Sequence, residues 1–118
     1  MAPKLVYICA PLRGDVEQNI TFAKEKAREV FQAGDIPICP HLMFPPFADP
    51  DDPVQDQAAR EMGLRLVEHC QQVNVYGPVR TPGMLAEIRR AEELRIPVKA
   101  DQPGLQKTKG RPRRGQSR

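Results

Sequence analysis

Three short stretches of the chain hold side chains that could do chemistry. Gly83-Met84-Leu85-Ala86-Glu87-Ile88 places a carboxylate, Glu87, within the start of a helix whose apolar positions are Met84, Ile88 and Ala91. There it borders the buried face, and the positive end of the helix dipole tends to keep it ionised. An ionised carboxylate beside a cleft can act as a nucleophile, for instance at an anomeric carbon. A capping or solvated acid fits the same pattern. Ala10-Pro11-Leu12-Arg13-Gly14-Asp15 leads from a strand into a helix. The unpaired N–H groups of a helix N-terminus suit an anion. Arg13 adds a planar cation for a phosphate or carboxylate, and Gly14 permits close backbone approach. A solvated surface arginine and a plain turn glycine fit equally well. In His41-Leu42-Met43-Phe44-Pro45-Pro46-Phe47, Phe44 and Phe47 could stack a flat base or anchor their loop to the core. His41 could be an acid/base, a phosphate contact or a structural histidine.

These stretches need elements to position them, and the pattern alternates strand and helix. Lys4–Cys9 reads as a buried first strand, closed by Ala10-Pro11. Asp15 with Gln18 three residues on is a capping-box signature. Val16, Ile20, Ala23, Ala27, Val30 and Phe31 then form an apolar helical stripe, which Gly34 ends. Ile36–Cys39 is the second strand, with Pro37 suggesting its beginning or a sheet edge. Residues 40–56 form a long connection rich in Pro and Asp. A second helix is predicted from about Asp56 to Cys70, with Ala59, Met62, Leu66 and Val67 inward. Val73–Tyr76 is a third strand, and Thr81-Pro82 supplies an N-cap and a first-position proline for a third helix ending near Arg95. Ile96–Lys99 is the fourth strand.

Such alternation implies an α/β fold: a three-layer Rossmann- or flavodoxin-like sandwich with a short parallel sheet, right-handed crossovers and helices on both faces. Ligands of such sheets bind at the carboxyl ends of the strands, where strand order reverses. By that rule Cys9–Asp15, His41–Phe47 and Gly77–Glu87 share one edge.

Composition narrows the class. With 40% hydrophobic and 28% charged residues in 118, the chain reads as one ordinary soluble domain. No apolar run is long enough to span a bilayer, and the opening MAPKLVYICAP is too short in apolar residues for a signal peptide. A cytoplasmic protein is expected. Cys9, Cys39 and Cys70 are odd in number and lack CxxC spacing, which suggests buried thiols rather than disulfides or a metal site. Residues 1–100 hold twelve Lys/Arg against fourteen Asp/Glu, whereas residues 101–118 hold six against one. The slightly acidic body argues against a nucleic-acid-binding globule. The domain is therefore set at 1–100, and 101–118 as a basic tail expected to be disordered.

Together, the stretches KLVYICAPLRGDVEQN, IPICPHLMFPPF, AAREMGLRLVEHC and GMLAEIRRAEELRIPV resemble the nucleoside 2-deoxyribosyltransferase-like superfamily, above all its small bacterial and phage members of unassigned function. The resemblance covers residues 4–100. In the superfamily's enzymes a glutamate in a Gly-x-x-x-Glu-like turn attacks C1′ of deoxyribose, and Glu87 matches it. The Arg13-Gly14 stretch is similar to one that holds a 5′-phosphate in the nucleotide hydrolase branch. Tyr7 is similar in placement to a tyrosine near the nucleophile. Related sequences usually carry an aspartate just before strand three, where this chain has Gln71-Gln72. A general acid for the leaving base is then sought among Asp49, Asp51, Asp52, Asp56 and Glu61, with nothing in the sequence selecting one.

The resulting expectation is an N-glycosidase or deoxyribosyltransferase acting on a small-molecule nucleoside or nucleotide. Glu87 and Tyr7 are its catalytic pair, and Ala10, Pro11, Arg13, Gly14, His41, Phe44, Phe47, Gly83 and Met84 bind the substrate. No metal, organic cofactor or membrane contact is implied. The alternative, motivated by Gln71-Gln72, is a nucleotide-sensing module without turnover. A homodimer or higher homo-oligomer is expected, from domain size and from the resemblance. The basic tail could add weak, salt-sensitive contact with nucleic acid, or serve only as a solubilising extension.

Overall fold

A computed structural model describes residues 2–11 and 14–100. Arg13 and the basic tail therefore lie outside the described residues.

The first strand, β1, runs Leu5–Cys9, and its alternating side chains separate two cores. Val6, Ile8 and the following Ala10 face one way; Tyr7 and Cys9 face the other. The chain then enters α1, Val16–Gln32, where Asp15 caps the helix by accepting a 3.1 Å bond from the Gln18 amide. Gly34, at φ +96°, adopts the left-handed backbone that glycine tolerates, and the chain turns back into β2, Ile36–Ile38. A four-residue helix, α2 (Pro40–Met43), and a loop precede α3, Pro53–Val67. Then come β3 (Gln72–Val75), α4 (Pro82–Glu93) and β4 (Val98–Ala100).

All strand pairs are parallel, in the order β2-β1-β3-β4. Helix α1 covers the Val6–Ile8 face through Ala23 and Val30, while α3 and α4 cover the Tyr7–Cys9 face through Val67, Met84, Ile88 and Ala91. This is the expected α/β sandwich with helices on both faces. The connections leaving β1 and β3 pass to opposite faces, so the two adjacent strands open a crevice at their carboxyl ends. Gly77, at φ +95°, lies just beyond β3, and a Cβ there would stand 3.3 Å from Pro11.

Several boundaries and orientations differ from expectation. The long connection contains α2, and α3 begins at Pro53 rather than Asp56, because Asp52 caps it by accepting from the Val54 amide at 2.9 Å. Asp52-Pro53 carries the same cap-plus-proline signal as Thr81-Pro82. Phe31 is 71% exposed; it lies a third of a turn past Val30, off the buried stripe. Phe22 takes its place, packed edge-on against Tyr76. Met62 is likewise exposed, and Gly63 faces inward, since Ala59, Gly63 and Val67 share one helical row. Helix α4 ends at Glu93, and β4 starts two residues late, at Val98. Pro37 does occupy an edge strand. Among the described residues no helix is long and apolar enough to cross a membrane.

Candidate active site

Tyr7 and Cys9 point from β1 toward α4, and Glu87 of α4 points back at them. The α4 N-terminus is held by Thr81, whose Oγ1 accepts from the Met84 amide at 3.2 Å, while Met84, Ile88 and Ala91 bury one face of the helix. That packing brings Glu87 over the middle of β1. Tyr7 Oη donates to Glu87 Oε2 at 2.5 Å, and Cys9 Sγ donates to Oε1 at 3.2 Å. Each carboxylate oxygen thus has its own neutral donor. Helix α3 closes the arrangement from the side: an added Cβ on Gly63 would lie 3.0 Å from Tyr7 Oη and 3.6 Å from Glu87 Oε2.

The surroundings set the proton balance. Burial raises the Glu87 carboxyl above its ordinary value, and the bonds from Tyr7 and Cys9 offset part of that rise. This corrects the expectation that the helix dipole tends to keep Glu87 ionised. Glu87 lies in the second turn of α4, where the dipole has faded, and desolvation prevails. The Tyr7 hydroxyl is pushed well up, first by burial and then by the neighbouring carboxylate. The Cys9 thiol is raised for the same reasons. Both groups therefore remain protonated donors.

Glu87 opens onto a cavity at the carboxyl end of the sheet. All three expected segments reach it: Ala10 beyond β1, then His41 and Phe44, then Gly83 and Met84 with Glu87. His41 Nε2–H donates to the Ala10 carbonyl, which makes Nδ1 the acceptor nitrogen of a neutral ring. Burial lowers the pKa of His41 and favours that neutral form. Phe44 forms part of the wall. Phe47 does not; it is 73% exposed and packs edge-on against Phe44 from outside, with ring centroids 5.8 Å apart. Pro11 packs by Gly77, and Gly14, at φ +98°, is exposed; neither lines the cavity.

A fourth wall was anticipated in the sequence only through Asp49 and Asp56. Helix α3 contributes Gln55, Asp56, Ala59 and Arg60, with Asp49 in the loop before it. Arg60 pairs with Asp56 at 3.1 Å. Gln55 braces the loop, accepting from the Asp49 amide at 2.8 Å and donating to Asp52 at 3.0 Å. Of the five candidate acids, Asp49 and Asp56 face the cavity, whereas Asp51, Asp52 and Glu61 do not. Gly63 and Cys9 were also missed as site residues. Helical spacing from Ala59 could have flagged Gly63, and the period-two register of β1 places Cys9 beside Tyr7.

Gln71 and Gln72 lie at the other end of the sheet. The Gln71 side chain accepts from the Leu5 amide at 2.7 Å, and Gln72 pairs with Val6 in the ladder. The departure noted there concerns the amino ends of the strands and does not remove an acid from the cavity. Among the described residues no group of three or more His, Cys, Asp or Glu side chains is gathered for a metal ion.

Comparison with solved structures shows the same fold. A 2-deoxyribosyltransferase from the psychrotolerant bacterium Bacillus psychrosaccharolyticus superposes with a TM-score of 0.64 at 13% identity, over 89% of this chain and 77% of that one. A 2-desoxiribosyltransferase from Leishmania mexicana gives 0.62 at 16% identity, over 83% of this chain and 63% of that one. No curated protein matches at a significant level. The profile of one family, the domain of unknown function DUF7768, matches residues 4–101, and the chain belongs to that family.

Proposed function

We propose that the protein is a nucleoside- or nucleotide-processing enzyme that cleaves an N-glycosidic bond through Glu87. The observation that carries this reading is the half-buried Glu87 carboxylate, gripped on both oxygens by Tyr7 and Cys9 and facing a cavity at the carboxyl end of a parallel sheet. The fold shared with two 2-deoxyribosyltransferases supports it. Ionised Glu87 attacks C1′ of the (deoxy)ribose; a C1′–O bond forms as the C1′–N bond breaks, and the electron pair leaves with the base. Of the two carboxyls on the cavity wall, Asp49 is the one proposed to hand a proton to the departing base, since Asp56 is paired with Arg60. Water or a second base then attacks C1′ and frees Glu87. Phe44 offers a face for the base, and neutral His41 holds the end of β1 in place. Arg13, one residue before Gly14, completes the proposal as the group that receives a 5′-phosphate. Assembly into homo-oligomers belongs to the same reading, and light scattering in solution tests it.

Because Glu87 must be ionised to attack, base release should climb as pH rises through its raised pKa. The decisive experiment incubates wild type and Glu87→Ala with a panel of 2′-deoxynucleosides and their 5′-monophosphates. Wild type should release base and acquire a glycosyl adduct visible by intact mass; the variant should do neither. Equal release by the two proteins would overturn the role of Glu87. The alternative of a sensing module drew on Gln71-Gln72, and with those residues at the opposite end of the sheet that motive is gone.

A further inference from the structure

We infer that Gly63 is a positioning residue: its missing side chain lets α3 seat the Tyr7 hydroxyl against Glu87. The catalytic consequence rests on the proposed role of Glu87; the structural one does not. Glycine is, after proline, the poorest former of a helix interior, so its presence inside α3 calls for a local reason. Backbone conformation is not that reason. Gly14, Gly34 and Gly77 have positive φ, and Gly63 does not. The reason is space. A Cβ at position 63 would stand 3.0 Å from Tyr7 Oη, 3.6 Å from Glu87 Oε2 and 4.0 Å from Pro40 Cγ.

The neighbour it meets has no room to retreat. The Tyr7 ring is fully buried, wedged among Cys9, Val67, Val73 and Met84, and its oxygen already sits 2.5 Å from Glu87. Gly83 differs: a Cβ there would meet Arg60 Cδ, on a flexible side chain, at 3.5 Å. An alanine at position 63 must therefore displace the Tyr7 hydroxyl by a few tenths of an ångström. The donor that counteracts the effect of burial on Glu87 is then weakened. Gly63 touches neither substrate nor reacting atoms; it acts through Tyr7.

The test is a double-mutant cycle of wild type, Gly63→Ala, Tyr7→Phe and the double variant. Two readouts are taken: titration of the Glu87 carboxyl by 13C NMR, assigned with Glu87→Gln, and turnover of 2′-deoxyadenosine and its 5′-monophosphate. Gly63→Ala should move the Glu87 titration to higher pH and lower kcat by about tenfold to a hundredfold, with KM within about twofold of wild type. In the Tyr7→Phe background, where the obstructing oxygen is gone, the same substitution should change neither quantity. An unchanged Glu87 titration in Gly63→Ala, or equal shifts in both backgrounds, overturns the inference. If Gly63→Ala fails to fold alone but folds with Tyr7→Phe, the conflict with the hydroxyl is upheld; failure of both overturns it. Absence of turnover in all four proteins counts against the proposed reaction, and the titration still decides the role of Gly63.

Discussion

Two glutamates mark opposite ends of the α3–α4 face and are treated in opposite ways. Glu87, toward the carboxyl ends of the strands, is half-buried and held by two neutral donors, and its pKa is raised, chiefly by desolvation. Glu68, at the C-cap of α3, is also half-buried but is held by guanidinium groups: Arg90 reaches it at 2.9 Å and Arg65 at 3.1 Å, and its pKa is lowered, chiefly by the Arg90 bond. Arg90 also bonds Glu93, so the cluster ties the end of α3 to α4. A carboxylate neutralised by cations at the protein surface is a fastener of small net worth. One held only by neutral donors beside a cavity has no cation to neutralise it, which suits the proposed attack on a substrate. The same side chain, on or beside packed helices, thus suits two roles according to the charge of its partners.

This contrast can be broken experimentally at several points. The largest effect is expected at Glu87 itself: Glu87→Gln should lower base release by roughly a thousandfold or more, as loss of a nucleophile does. Tyr7→Phe comes next. It leaves one carboxylate oxygen without its donor, and kcat should fall about tenfold to a hundredfold, with the activity profile displaced to higher pH.

A third effect is on stability. A carboxyl whose folded-state pKa exceeds its unfolded value binds protons more tightly when folded. Its stabilising contribution is complete below the unfolded pKa and is lost as pH rises through the folded one. Thermal melting of wild type should therefore worsen over that window relative to Glu87→Gln, which carries no charge there. Parallel pH profiles for the two proteins would contradict the burial argument. The smallest effect belongs to the other glutamate. Glu68→Gln should lower Tm slightly, less so in high salt, and leave turnover unchanged. A large loss of activity would show that the fastener reaches the cavity.

Much of the scaffold was legible from local signals. Asp15 and Thr81 cap their helices as their spacing implied, because a cap depends on a few adjacent residues. The row Met84, Ile88, Ala91 is buried as read. Legibility failed where two apolar neighbours competed for one inward position. Met62 looked the better core residue, yet Gly63 is inside, since the site needed closeness there rather than volume. Phe31 and Phe47 failed similarly: hydrophobicity alone does not say which of several aromatics faces the core or the cavity. Gln71-Gln72 shows a third failure. A sequence position next to a strand does not announce which end of the sheet matters until strand direction is laid against the site.

By itself, the order of residues determined the alternation of strand and helix, hence a parallel sheet whose carboxyl edge gathers Ala10, His41 and the α4 turn. Those are consequences of periodicity and capping, which act over a few residues. Tyr7 was set near Glu87 by family resemblance alone; only the tertiary structure decided that Cys9 takes the other oxygen, which way burial tips the proton, and which helix must lack a side chain to let the contact form. Tyr7 and Cys9 lie 80 and 78 residues from Glu87 along the chain, and hydrogen bonding and desolvation depend on ångström distances that no local pattern encodes.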